Sequence, residues 1–126
     1  MSPELDKKLT EEFPEIFRDR NGSVRTSSMP FGFTCGDGWF NIIYFLCKTI
    51  NHRIKHSKCE PVVATQVKEK FGTLRFYVNG GDDYTDGAIE LAEMLSSVTC
   101  DKCGSPSSSG PTPKNGWIST RCEEHS

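Results

Sequence analysis

The residues best placed to do chemistry stand near the end of the chain: Cys100-Asp101-Lys102-Cys103 and Cys122-Glu123-Glu124-His125, together C-x2-C-x18-C-x2-H. Two ligands three positions apart sit on one tight knuckle, and two such pairs close a tetrahedron around Zn²⁺. The expected cofactor is one zinc ion on Cys100, Cys103, Cys122 and His125. Four protein ligands leave no position for water or substrate, so this zinc is structural and not a source of hydroxide. Such binding is worth on the order of 10 kcal/mol, comparable to the whole stability of a small domain. Metal more than core then fixes the two ends of the loop Ser105–Pro113 (SPSSSGPTP).

Two further constellations carry less. His52 and His56 share a helix face, the geometry of a two-histidine metal clamp, and Cys59 follows three residues on. Arg53, Lys55 and Lys58 beside them oppose a dication, which favours histidines facing solvent or a partner. Cys35 is the candidate nucleophile of an alternative enzyme reading, since a thiol near a helix N-terminus can be held as thiolate. No base stands near it in sequence, and a buried core cysteine is the competing reading. Gly36-x-Gly38 lacks the rest of any phosphate-loop fingerprint.

Charge supplies two binding readings. The net charge of −2 over 126 residues gives no bulk attraction to nucleic acid or acidic membranes, but its distribution is uneven. Asp82, Asp83, Asp86 and Glu90 form an acidic surface that suits a protein partner with a basic groove. The alternative is nucleic acid, bound through Lys48, Arg53, Lys55, Lys58, Lys68 and Lys70 on its phosphates. Both runs also have bland explanations. Acidic residues are favoured in a helix's first turns by its dipole, and Lys68 to Tyr77 reads equally as an ordinary amphipathic hairpin.

The elements that position these residues are centred on Phe31–Ile54. Gly36-Asp37-Gly38 reads as a tight turn with Asp37 as N-cap. Trp39, Ile43, Leu46, Cys47, Ile50 and Ile54 then recur at helical spacing, and Phe40, Ile42, Tyr44 and Phe45 make the first turns apolar on nearly all sides, which predicts a buried spine helix. Pro3 to Phe13 predicts a short helix stopped by Pro14, and Pro30–Thr34 a short strand. Val62–Val67 and Leu74–Val78 predict an antiparallel hairpin turning over Lys68–Gly72, with Leu74, Phe76 and Val78 inward. After Asn79-Gly80-Gly81, a helix capped by Asp82, Asp83 or Thr85 carries Ile89, Ala92 and Leu95 inward. Trp117 and Ile118 in GWIST are expected to cap the metal module against the core.

The expected fold is α+β: a central helix packed on an antiparallel β-hairpin, with flanking helices and a C-terminal zinc knuckle of treble-clef-like form. Residues 1–98 form the core domain and 99–126 the zinc module packed on it. No apolar run approaches the roughly 18 residues of a membrane span, and MSPELDKKL has no export pattern. These features favour a soluble, cytoplasmic protein whose six cysteines bind metal or stay reduced instead of forming disulfides.

In fixed order, FGFTCGDGWFNIIYFLC, QVKEKFGTLRFYVNGG, CDKCG and GWISTRCEEH resemble a family of small proteins found in bacteriophage and prophage genomes and in scattered bacteria. The likeness runs from about Phe31 onward, and no activity comes with it. It implies a phage or bacterial cytosolic setting, the zinc knuckle at the four positions named, and an accessory role. By analogy of size and context, the expected partner is a host protein, such as a nuclease or another component of antiviral defence including CRISPR. The reading is thus a non-enzymatic zinc-stabilised binding protein acting as an inhibitor.

Overall fold

The computed structural model describes residues 1–126 as an α+β fold of three helices, a three-stranded sheet and a C-terminal two-stranded hairpin. Helix α1 (Pro3–Glu12) starts on the Ser2 hydroxyl, which accepts from the Leu5 amide at 3.3 Å, and ends before Pro14. The following irregular segment is tied back by Arg20, which pairs with Asp6 at 3.0 Å and donates to the Pro30 carbonyl at 2.9 Å.

The expected strand at Pro30–Thr34 shortens to β1 (Phe33–Thr34), because Met29–Phe31 forms a 3-10 turn first. Short as it is, β1 pairs in parallel with β2 (Val63–Lys70), Phe33 opposite Val67, so the hairpin becomes a three-stranded mixed sheet. Strand β2 pairs antiparallel with β3 (Thr73–Asn79), with an irregularity between Ala64 and Gln66. The strands run further than expected, so the turn is only Phe71-Gly72, with φ of 53° and 85°. Both residues lie in the left-handed region, as a two-residue type I′ hairpin requires.

Asp37 does not cap the spine helix. Asp37–Trp39 is a 3-10 turn that opens after Gly36, and the Asp37 carboxylate accepts from the Ser2 amide at 2.7 Å, joining the N-terminus to this corner. Helix α2 (Phe40–His56) follows. Its inward face is Ile43, Leu46, Cys47 and Ile50, packed in one core with Trp39, Val67, Leu74 and Phe76. The expectation of a helix buried on most sides fails at Phe45, which is 60% exposed. An apolar residue on every side shows only that burial is permitted on every side, and no neighbour covers this one.

Helix α3 (Asp83–Ser96) begins with the capping box the sequence allows: the Asp82 carboxylate accepts from the Thr85 amide while the Thr85 hydroxyl accepts from the Asp82 amide. It runs beside α2 and along the outer edge of β3. Ser96 Oγ accepts from the Leu74 amide at 2.8 Å and Glu93 Oε2 from the Phe76 amide at 2.9 Å, so side chains take the place of a fourth strand. Strands β4 (Pro111–Lys114) and β5 (Trp117–Thr120) form the last hairpin, turning on Asn115-Gly116.

Candidate metal centre and neighbouring surfaces

Cys100 and Cys103 lie on the turn after α3. Cys122 caps the start of the final 3-10 turn, Glu123–His125, beyond β5, and His125 closes it. Knuckle, hairpin and terminal helical turn together give the treble-clef-like arrangement expected. The four ligand atoms lie within 4.8 Å of one another. Cys103 Sγ is 3.7 Å from Cys122 Sγ, and His125 Nδ1 is 3.1 Å from Cys122 Sγ and 3.8 Å from Cys100 Sγ. A tetrahedral ion with metal–sulfur bonds of about 2.3 Å requires sulfurs about 3.8 Å apart, so the donor set fits. A disulfide needs sulfurs at about 2.05 Å, and all six cysteines are unbridged.

The electrostatics of the cluster also calls for a cation. Burial pushes the Cys100 thiol up, but the amides of Cys122, Cys103 and Lys102 with the Cys122 side chain more than offset it, bringing it down to about 6. Cys122 moves the other way. Burial raises it, as do the Cys103 and Cys100 sulfurs, against the His125 amide. Neighbouring thiols cannot all ionise unaided, and a bound metal ion removes the conflict. The cluster offers four protein donors, the number a tetrahedral ion takes.

The knuckle is seated on the start of α2. Gly38 donates to the Asp101 carbonyl at 2.9 Å, and Trp39 Nε1 donates to the Thr99 carbonyl at 2.9 Å. Asp101 faces Arg121 in a close ion pair whose N–H is poorly aimed at the carboxylate. Burial raises the Asp101 pKa and Arg121 lowers it, leaving it above the ordinary value. At the other end, Thr120 Oγ1 donates to the Gly72 carbonyl at 2.6 Å. Trp117, expected to cap the module, is instead 66% exposed.

The remaining candidates do not assemble into a second centre. The His52 and His56 rings lie 4.4 Å apart, tilted at 42°, but Cys59 sits by Asp82 and Arg53, and these residues form no close ligand cluster. Cys35 is buried, and burial, against the N-terminal ammonium, with Asp101, Asp37 and Glu69 adding to it, pushes its thiol up to about 12. That is the reverse of an activated nucleophile.

The two charge runs meet in one ion pair. Arg53 Nε pairs with Asp82 at 3.0 Å, and the guanidinium lies 4.8 Å from the Tyr84 ring centre. Asp82 therefore serves the fold, while Asp83, Asp86 and Glu90 are exposed and in no ion pair. The basic set does not form one surface. Lys48, Arg53, Lys55 and Lys58 belong to α2 and its exit, whereas Lys68 and Lys70 alternate with buried Val67 and point away from the core shared with α2.

An apolar groove of about 360 Å³ lies between α2 and α3, walled by Ile42, Phe45, Leu46, Leu91 and Leu95 among others, with no charged residue in its lining. Sequence reading missed it because Phe45 and Leu95 both counted as core. No helix is long and apolar enough to cross a membrane. Comparison with protein families, curated proteins and solved structures finds no match.

Proposed function

We propose that the protein is a non-enzymatic, zinc-stabilised accessory protein of phage or bacterial origin that binds a host protein and inhibits it, the target being a component of antiviral defence such as a CRISPR nuclease. The observation that carries the binding role is the uncharged groove between α2 and α3; the exposed carboxylates of Asp83, Asp86 and Glu90 stand on a different side of α3 from its lining. Leu91 is 61% exposed and Phe45 nearly as much, more apolar surface than a helix pair leaves open without a use. Its occupant is an amphipathic helix of the partner, and the acids elsewhere on α3 raise the on-rate of a basic partner. Zinc is the assigned ion, because three thiolates and an imidazole in a tetrahedron suit it best. Unbridged cysteines support a reducing, cytoplasmic setting.

The test is affinity capture from a bacterial host with three proteins side by side: wild type, a charge-reversed Asp83→Lys/Asp86→Lys/Glu90→Lys variant, and Phe45→Glu/Leu91→Glu. A protein held by wild type and lost by both variants, with circular dichroism and zinc content unchanged, supports the reading. Retention by both variants removes it.

A further inference from the structure

Two hairpin tips meet on the side of the protein formed by the β2–β3 and β4–β5 turns. Both tips are two-residue turns with positive φ: Asn115-Gly116 (53°, 79°) and Phe71-Gly72 (53°, 85°). Asn-Gly is what a type I′ turn prefers, whereas a bulky aromatic at φ 53° is strained. Phe71 gains no burial in return, being 66% exposed. Strain that no packing offsets points to use of the side chain itself. Across a cleft of about 310 Å³ stands Trp117, equally exposed, with Lys70, Glu69, Gly116 and Ile118 completing the lining.

Cations surround these rings. Lys70 Nζ lies 5.7 Å from the Phe71 ring centre, whereas Lys114, the cross-strand partner of Trp117, lines a neighbouring cleft with Arg121 and His125. Lys68 and Arg75 stand opposite each other on the adjoining sheet, a like-charge pairing that costs stability. None of the four is in an ion pair. The one acid in the lining, Glu69, is occupied accepting the Gly72 amide at 2.8 Å.

We propose that this cleft binds single-stranded nucleic acid, its unpaired bases stacking on the exposed rings of Phe71 and Trp117 and a phosphate lying on Lys70. Two exposed aromatic faces flanked by unpaired cations form the platform that single strands use, and a duplex cannot offer a free base to it. The cleft shares no residue with the α2–α3 groove, so it stands independently of the protein-binding role.

The experiment is fluorescence anisotropy of a labelled oligo-dT of about 12 nucleotides, with a duplex of equal length as the comparison. The single strand is expected to bind and to quench Trp117, since the other tryptophan, Trp39, is fully buried. Phe71→Asn and Trp117→Ala should each weaken binding roughly tenfold. Phe71→Asn should at the same time melt no lower than wild type, because Asn suits the turn. Lys70→Ala should flatten the salt dependence. Absence of binding at low salt, equal or better binding of duplex, or unchanged affinity in both aromatic variants would overturn the proposal.

Discussion

Gly38 lies so close to Cys100 that a Cβ added to the glycine would stand 2.1 Å from the Cys100 carbonyl oxygen; at Gly36 the same atom would stand 2.0 Å from the carbonyl of Asp101. The φ of Gly36, −78°, is open to any residue, so it is space and not backbone freedom that demands glycine there. The two glycines are the seat of the metal knuckle. Gly38→Ala should therefore cost about 3 kcal/mol or more in urea unfolding. Gly87→Ala, in the middle of α3 with nothing within 4 Å, should instead stabilise by about 0.4–1 kcal/mol. Equal effects of the two substitutions would contradict this account.

Metal content is expected at one zinc per chain by elemental analysis of purified protein. Cys122→Ser should lose it, and chelation of the wild type should abolish amide protection in 99–126 first, because little else holds the exposed strand β4. A chelated protein with undiminished protection there would refute the structural role of the ion.

Ser96→Ala leaves the Leu74 amide facing α3 without an acceptor in a buried position. The expected loss is roughly 1–3 kcal/mol, the cost of an unmet buried donor. Hydrogen exchange at Leu74, faster in the variant than at Val67 on the neighbouring strand, would locate the effect.

Asp82 supplies a pH dependence. The Thr85 amide holds its carboxyl below the ordinary value, and Arg53 adds to this against some desolvation. A depressed folded-state pKa means stabilisation that is full above the unfolded value, about 3.9, and lost as pH falls through the folded one. Asp82→Ala should melt several degrees below wild type near neutrality, and the gap should close below about pH 4. A gap that persists in acid would show that the carboxylate's charge is not what matters.

Local patterns were legible in the sequence and distant ones were not. The ligand set Cys100, Cys103, Cys122 and His125 is fixed by spacing within two short segments, so it could be read directly. The inward alternation of Leu74 and Phe76 and the capping of α3 are likewise local. Gly36-Asp37-Gly38 was legible only as a turn, because the chain it accommodates lies more than sixty residues on. Asp82 read as free surface for the same reason: its cation, Arg53, comes from another helix. Phe45 and Trp117 were assigned to packing by type, and only the positions of their neighbours reveal that both stand open. The pairing of β1 depends on two residues, too few to carry a pattern.

The closure of β3 by Glu93 and Ser96 limits how this molecule can meet others. Along β3 the Leu74 and Phe76 amides are taken by side chains of α3, so this edge offers no free ladder to a foreign peptide. Strand addition, and templated stacking into fibrils, is thus denied at this edge for as long as α3 stays docked. A partner meeting this edge of the sheet must be gripped with side chains.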